Sequence, residues 1–388
     1  MAALALTFWF SVAMLAYIYA GYPLLIRLVG NLQARRVRRG EPGVYTPGVT
    51  VMIAAYNEAA HIEATVRNKL ASDYPADRLE VVVISDGSDD GTDAIVQGIG
   101  DPRVRLIRQE PRAGKTSALN LAMPSVSSEV IVFSDANSIY RPDTIAQLVA
   151  PLADPEVGYV TGRMVYKAPD GSATGEGCST YMKYENKLRE WETLAGSIVG
   201  VDGGVDALRR ELWQPMNPDQ LPDFVEPLGI RARGYRVVYE PSALLYEDAL
   251  AESADEFRMR VRVALRAFHG LKDMARLLDP LRYGLYAWQL WSHKVLRYLA
   301  FVFMAGALVS NWALARPSTS GAPWSLLMLG QLLFYAMAMY GRTMAGHRQS
   351  LPRTVALAYY FCVVNFASAA AFLQFLQGKK QVTWNPRT

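Results

Sequence analysis

Acids placed at the ends of short apolar runs mark the middle of this sequence. Val130–Phe133 leads into Asp135-Ala136-Asn137, and Val81–Ile84 leads into Asp86-Gly87-Ser88. Two buried strands, each delivering a carboxylate at its C-terminal end, are what an α/β sheet needs to hold a metal-bound diphosphate and a nucleoside in one crevice. Asp135 is the candidate metal ligand, and Asn137 offers a neutral amide oxygen in place of a second carboxylate. A divalent ion bound by one or two carboxylates plus substrate phosphates is the usual setting for magnesium. There it stabilises the charge that grows on a leaving diphosphate. The plain alternative is a strand-end acid that caps the next turn. Asp86, first off its strand, is the candidate nucleotide contact, while Asp89 and Asp90 read as caps of the following helix.

Three more segments carry side chains suited to the same crevice. Ala54-Ala55-Tyr56-Asn57-Glu58 closes another apolar run, with a Tyr56 ring to stack on a base and a Glu58 carboxylate to accept from ribose or base. An ordinary strand-to-helix turn would look the same. Gly114-Lys115-Thr116 invites comparison with a phosphate-binding loop, but that motif requires glycine five positions before Gly114, where Gln109 stands. Lys115 is left either beside a diphosphate or base, or as a solvated lysine at a helix start. Asp223, in Pro222-Asp223-Phe224-Val225-Glu226, opens a helical stretch that ends near Gly234. A carboxylate there can take a proton from an attacking hydroxyl, a role worth typically ~10²–10⁴-fold. A helix cap is the competing role, and Glu226 the competing acid.

The elements that must position these groups follow from periodicity. Thr50–Ala55, Glu80–Ser85, Val104–Ile107 and Val130–Ser134 read as strands; Ala59–Leu70, Thr92–Ile99, Lys115–Ala122 and Pro142–Leu152 read as helices. Such alternation implies a mostly parallel sheet covered on both faces, with strand C-termini on one edge. A Gly- and Ser-containing loop is expected at 168–177, followed by a helix at 179–194. From Glu256 to Leu278 apolar residues recur at helical spacing, while Arg258, Arg262 and Arg266 repeat every fourth position. That pattern suits an amphipathic helix at a membrane surface, its arginines reaching toward head groups.

Basic and acidic side chains number 40 and 36, so bulk charge gives no footing for a nucleic-acid partner. Residues 1–26, 298–315, 322–341 and 354–378 carry no charged side chain. Each run approaches the roughly 20 residues that span hydrocarbon as a helix. The first lacks the basic start of a cleaved signal. Arg27, Arg35, Arg36, Arg38 and Arg39 follow it and place that side in the cytoplasm. Cys178 and Cys362 are the only cysteines, which supports no disulfide framework. The expected organisation is a transmembrane helix at 1–29, a basic linker at 30–48, an α/β domain at 49–255, interfacial helices at 256–293, about three further spans within 294–378, and a tail at 379–388. Three C-terminal crossings would put Lys379, Lys380 and Arg387 outside, against the positive-inside tendency. A re-entrant segment at 354–378, where Asn365 and Ser368 lie, would keep the tail inside.

Tyr56-Asn57-Glu58, Asp86-Gly87-Ser88, the Lys115–Asn120 stretch, Asp135-Ala136-Asn137, Asp223-Phe224 and Gly234–Pro241 together resemble the membrane-integrated family 2 glycosyltransferases of the GT-A fold. Poly-N-acetylglucosamine, hyaluronan and cellulose synthases belong to that group. The similarity continues through Trp291–Arg297. It implies a Rossmann-like cytosolic domain on an integral membrane protein of the bacterial inner membrane. The implied reaction is inverting transfer from a nucleotide sugar, with uridine diphosphate as the expected carrier and Mg²⁺ or Mn²⁺ as cofactor. By resemblance, Ala54, Tyr56, Glu58, Asp86, Lys115 and Asp135 contact the donor, Asp223 is the base, and Gly203, Gly204 and Arg209 lie on the acceptor side. Two departures stand out. Pro222 precedes the base where the family usually has an acid. The processive synthases' Gln-x-x-Arg-Trp motif is replaced by Phe257-Arg258-Met259-Arg260-Val261-Arg262, whose Arg258 and Arg262 either bind diphosphate or grip anionic lipid. Four spans are few for an enclosed polymer channel, so secretion of long chains would require an oligomer or an accessory membrane subunit. The expected product is a growing polysaccharide; the alternatives are one sugar added to a lipid or lipid-linked oligosaccharide, and a non-enzymatic membrane component.

Overall fold

A computed structural model describes residues 1–167, 173–248, 253–316, 322–345 and 352–383. Eight strands form one sheet: β1 (Val49–Ala55), β2 (Leu79–Ser85), β3 (Val104–Arg108), β4 (Val130–Asp135), β5 (Ile139–Tyr140), β6 (Val157–Lys167), β7 (Val205–Arg209) and β8 (Arg236–Asp248). Their order is β3-β2-β1-β4-β7-β6-β8-β5. The pairs β1·β2, β1·β4, β2·β3 and β6·β8 are parallel, whereas β7 runs against both its neighbours and β5 against β8. The sheet is therefore mixed but mostly parallel. Alternation along the central strands feeds two cores, because successive side chains leave opposite faces. Val51, Ile53, Val81, Val83 and Val132 pack on one side. Met52, Val82, Ile84, Ile131 and Phe133 pack on the other.

This topology sets the position of every candidate acid. Ala54 pairs with Ile84 on one side and Asp135 on the other, so the three central strands end together. Because β7 is antiparallel to β4, its first residue, Val205, lies opposite Ser134, and its last, Arg209, lies opposite Val130. Gly203 and Gly204 thus enter at the strand-end crevice, and Arg209 lies at the far edge of the sheet. There the Arg209 guanidinium donates to the carbonyls of Val157, Leu152 and Asp154 at 2.9, 2.5 and 3.1 Å. The acceptor-side role expected of Arg209 is corrected accordingly: its donors are engaged in closing three backbone carbonyls far from the crevice.

Other elements differ from the expectation for local reasons. Strands β5, β6 and β7 escape a periodicity reading. β5 has two residues, β7 carries the buried acid Asp206, and β6 is interrupted by Gly158 and Gly162. A Cβ at Gly162 would lie 2.6 Å from the Ala243 carbonyl, so close packing on β8 requires that interruption. The helix Ala173–Ala195 begins within the expected 168–177 loop; residues 168–172 and the Cys178 side chain lie outside those described. Cys362 is a buried free thiol.

Among the described residues three helices are long and apolar enough to cross a membrane: Ala2–Gln33, Ala322–Met344 and Arg353–Leu376. The first runs past the expected end at residue 29. A fourth candidate is the pair Leu285–Tyr298 and Ala300–Leu314, bent by 55°. The break thus falls near Leu299, and Arg353–Leu376 is unbroken. That last helix packs along the arginine helix Ser253–Asp273, with Phe372 and Phe375 against Phe268 at 5.4 and 5.7 Å between rings. Its end delivers the tail to the α/β domain, where Lys380 Nζ meets Asp219 at 2.6 Å and His269 Nε2 donates to the Lys379 carbonyl at 2.8 Å. Lys379 and Lys380 therefore lie on the side of the membrane occupied by that domain.

A buried polar cluster fastens the helices to the domain. His293 is held between Glu192, 2.7 Å from Nδ1, and Glu185, 3.1 Å from Nε2. Tyr22 of the first helix donates to Glu192, and Arg297 donates to Glu185 at 2.5 Å. Replacing Arg209 by alanine is expected to lower stability by about 1–3 kcal/mol, the range for stranding buried polar groups, with acceptor KM unchanged. Thermal melts alongside initial rates check this; a raised acceptor KM at unchanged stability would return Arg209 to the acceptor side.

Candidate active site

Lys115 occupies the middle of the crevice. Its Nζ lies 2.8 Å from Asp135 Oδ1 and 3.6 Å from Asp223 Oδ1, joining the end of β4 to the start of the helix Pro222–Ala232. Burial opposes the ammonium charge, but Asp135 and Asp223 outweigh it and hold the lysine above its usual range. The Asp223 carboxyl is raised, first by burial and then by Asp135, with Lys115 pulling the other way. Gly203 passes so close that a Cβ there would lie 2.6 Å from the Asp223 carboxylate, and its φ of +87° disfavours any other residue. A Cβ on Gly204 would approach Asp135 Oδ2 to 3.2 Å. The expected pair Gly203-Gly204 is thus brought against both acids. Glu226 is not: it is buried, pushed up to about 8 by that burial, and faces Arg233 and the Gln214 backbone rather than Lys115.

Asp86 lies at the end of β2. It is fully buried, and its Oδ1 accepts from the Gln109 amide at 2.5 Å and from the Ala113 and Gly114 N–H groups at 2.8 and 3.1 Å. The carboxylate pins the loop that leads into Lys115. Tyr56 is positioned at the same strand ends, with the Arg112 guanidinium 3.4 Å above its ring and 3.6 Å from Asp86. Asn57, at φ +53°, exchanges two hydrogen bonds with Asp89 at 2.8 and 3.0 Å, which locks the first two strand-end loops together. The Glu58 backbone N–H donates to Thr92 Oγ1 at 2.9 Å, and its side chain lies half-buried beside them.

The arginine helix contributes a different arginine from the expected ones. Arg258 lines a cavity among the apolar helices, and Arg262 is half-buried. Arg266 is the one that reaches the crevice. It is buried and donates to Thr116 Oγ1 at 3.2 Å and to the Gln220 carbonyl; burial lowers it to about 10, opposed by the charge of Asp223. Sequence spacing did contain Arg266, as the last member of its four-residue repeat. Gln109, Arg112 and the tail had no such signal. The tail closes the rim: a Cβ on Gly114 would lie 2.6 Å from the Val382 carbonyl oxygen.

Asp135 and Asn137 suit a divalent cation. Both present hard oxygen donors, and Asp135 is 35% open at the strand end. Among the described residues no three His, Cys, Asp or Glu side chains converge on one point. An ion here would need oxygens from a substrate, which fits a diphosphate-sharing metal and not a closed structural site.

Gly203→Ala, which would push Asp223 aside, is expected to cost roughly 10²–10⁴ in turnover if Asp223 takes the acceptor proton, with donor affinity retained. Single-turnover rates and donor titration check it. Asp206, on β7, supplies a pH test. Burial pushes its carboxyl up to about 8, with Asp223 and Asp202 adding and the Thr161 and Tyr159 hydroxyls opposing. The folded acid keeps its proton to about pH 8, whereas an unfolded one releases it near about 3.9. Stability present below that lower value is lost as pH rises through about 8. Asp206→Asn should therefore raise the melting temperature at pH 8 and leave it unchanged at pH 4; no difference between the two pH values would contradict a neutral Asp206.

Comparison with known proteins fits this geometry. Residues 50–213 match the model of Glycosyl transferase family 2. A poly-beta-1,6-N-acetyl-D-glucosamine synthase of Staphylococcus aureus (strain COL) is 26% identical over 267 residues, 65% of this chain and 64% of the relative. That of Staphylococcus epidermidis is 23% identical over 276 residues, 68% of this chain and 66% of its own length. The chain thus spans just under two thirds of these curated relatives. A solved structure matches more completely: the mannosyltransferase PcManGT of Pyrobaculum calidifontis, in complex with GDP-Man and Mn²⁺, overlaps with a TM-score of 0.72 and 26% identity, covering 95% of this chain and 98% of that one. Residues 50–213 are thus similar to the glycosyltransferase family 2 domain, on a sheet of GT-A architecture.

Proposed function

We propose that this enzyme transfers a sugar from a nucleotide diphosphate to a membrane-presented acceptor by single inverting displacement, with Asp223 as the general base. One observation carries the reading: Lys115 Nζ stands between Asp135 and Asp223, so the charge of a leaving diphosphate and the proton of an attacking hydroxyl meet on opposite sides of one ammonium. In the reaction the acceptor oxygen bonds to the anomeric carbon, its proton passes to an Asp223 oxygen, and the bond to the diphosphate breaks. Burial makes Asp223 a stronger base than a solvated aspartate. A divalent ion held by Asp135 and Asn137 would supply charge neutralisation at the diphosphate. Lys115 adds a fixed positive charge there, while Asp86, Gln109 and the 113–114 backbone hold its loop.

Two acceptor readings follow. The names of the staphylococcal relatives support extension of a polysaccharide. The near-complete overlap with a mannosyltransferase solved with GDP-Man supports a guanosine-linked donor, and the missing Gln-x-x-Arg-Trp motif supports addition of one sugar to a lipid-linked acceptor. The carrier base is uridine on the first reading and guanosine on the second. The basic stretch after the first helix and the tail against the domain support a cytosolic active site in a bacterial inner membrane.

With the enzyme in lipid nanodiscs, Mg²⁺ or Mn²⁺ and a panel of uridine- and guanosine-linked sugars, Asp223→Asn should keep donor affinity and lose transfer by roughly 10²–10⁴-fold. Asp135→Ala should abolish metal-dependent turnover. A dead Glu226→Gln beside an active Asp223→Asn would move the base. Product size then separates the readings: a ladder for repeated addition, one discrete glycolipid for a single transfer.

A further inference from the structure

A cavity of about 560 Å³ lies at the edge of the sheet away from the catalytic crevice. Glu156 precedes β6 and Arg236 opens β8, and these strands pair from Val157 and Arg236 onward. The Arg209 guanidinium reaches the Val157 carbonyl at this edge, whereas Gly203 and Gly204 enter at the other. Arg35 follows directly on the first apolar helix, which ends at Gln33. Tyr286 and Gln289 belong to Leu285–Leu290, where the bent pair begins. The cavity thus stands where two candidate spans meet the α/β domain, and the ends of spans lie at the level of lipid head groups.

Its charge is one-sided. Among the described residues that line it, the charged ones are Arg35, Arg231, Arg233, Arg236 and Glu156. Glu156 pairs with Arg35 at 2.9 Å. Arg233 donates to the Leu212 and Gly229 carbonyls. Arg236 is buried and donates to the carbonyls of Gly196, Arg35 and Thr193 at 2.7, 2.9 and 3.0 Å. Burial and the charges of Arg35 and Arg231 hold it below its usual range, with Asp154 and Glu156 opposing. Arg231 stacks on Tyr286, 5.1 Å from the ring centre, and its Nε is buried without a hydrogen-bond partner. Guanidinium groups keep their charge in proteins, so this repulsion is not relieved by losing a proton. An uncharged sugar would leave it in place. Phosphate oxygens would neutralise it, and they match the planar donors of arginine in pairs.

We propose that this cavity binds an anionic phosphate group, with Arg231 and Arg35 as its principal donors. The site goes beyond the function proposed above and does not depend on the roles of Lys115, Asp135 or Asp223. Its place beside the spans favours the head group of an anionic phospholipid over a water-soluble phosphate. Gln289 Nε2 already donates to the Ser197 carbonyl at 3.1 Å, and Arg236 to that of Arg35, so a ligand here adds to contacts that join the membrane helices to the domain.

The full-length protein in neutral detergent is titrated with phosphatidylglycerol, phosphatidylcholine and glycerol 3-phosphate. Bound ligand is counted by native mass spectrometry, and melting temperature is followed in parallel. Phosphatidylglycerol is expected to bind and to raise the melting temperature. Arg231→Gln should weaken it about tenfold, the scale of one hydrogen bond to a charged group, and Arg231→Lys should recover part of the loss. Arg35→Gln, at an exposed position, should weaken it as well and carries the test if Arg231→Gln does not fold. Arg36→Gln, in the same basic stretch but outside the cavity, should change nothing. Glycerol 3-phosphate binding as tightly as the lipid, with the same losses in the variants, supports the phosphate site and assigns it to a soluble ligand. Equal binding of phosphatidylcholine, whose phosphate is offset by choline, would overturn the proposal. So would unchanged binding in the Arg231 and Arg35 variants, or an equal loss in Arg36→Gln, which would mark adsorption to the basic stretch as a whole.

Discussion

Carboxylates gathered in a partly dry crevice cannot all stay ionised unless a cation stands among them or one of them keeps its proton. Both solutions are present here. Lys115 sits between Asp135 and Asp223, and Asp206, buried on the neighbouring strand, is pushed up to about 8. The lysine therefore fixes where Asp135 and Asp223 stand relative to one another. Its own position depends on the 109–114 loop, and that loop depends on Asp86. The chain of dependence runs from a strand-end acid, through backbone N–H groups, to a lysine, and from there to the acids that would meet substrate. Changes at Asp86 are then felt as changes in Lys115. On the function proposed above, a donor diphosphate would meet the same ammonium that is shared between the two aspartates.

The central sheet was readable because its strands are nearly continuous apolar runs, as parallel strands buried on both faces must be. Val49–Ala55, Leu79–Ser85 and Val130–Asp135 lie within a residue of their expected limits. What periodicity could not show is β7. Five residues with a buried acid at the second position look like loop, yet their reversed direction is what turns Gly203 and Gly204 toward Asp135 and Arg209 away from it. Asp86 was legible as a strand-end acid, but not the loop that folds over it, because two of its three donors are backbone N–H groups that any sequence possesses, 27 and 28 residues away. The arginine repeat was visible in full; which of its three members reached the crevice depended on the helix's axis relative to the sheet, a tertiary property.

The apolar helices are bound to the catalytic domain by buried polar groups. His293, Glu185, Glu192, Arg297 and Tyr22 form a network linking the first helix, the helix Ala173–Ala195 and the bent pair. Arg189, on that same central helix, continues it to Asp202 at 2.6 Å, immediately before Gly203. Breaking one member of such a network leaves an uncompensated buried charge, so the register of membrane helices and acceptor segment is strongly specified. The same logic applies at the other end of the chain, where Lys380 and Val382 place the tail against Asp219 and Gly114. Lys379 and Lys380 lie beside the α/β domain although Arg353–Leu376 does not turn back on itself.

The acceptor question turns on the polarity of the intramembrane space. A polymer that is extended and exported by one chain needs a passage whose walls can replace the water lost by every hydroxyl, because each unpartnered hydroxyl in an apolar surrounding costs on the order of 1–3 kcal/mol by mutational data. A strand of a few sugars would accumulate that cost many times over against Phe301, Met304, Leu332 and Phe366. Hydrocarbon entering the same space meets no such penalty, which supports the lipid-linked acceptor over an extruded polymer. Repeated addition on such a carrier remains compatible with this arrangement, since the glycan can grow on the domain side of the membrane while the lipid holds its place, and the length of the product is then set by how long the lipid stays bound.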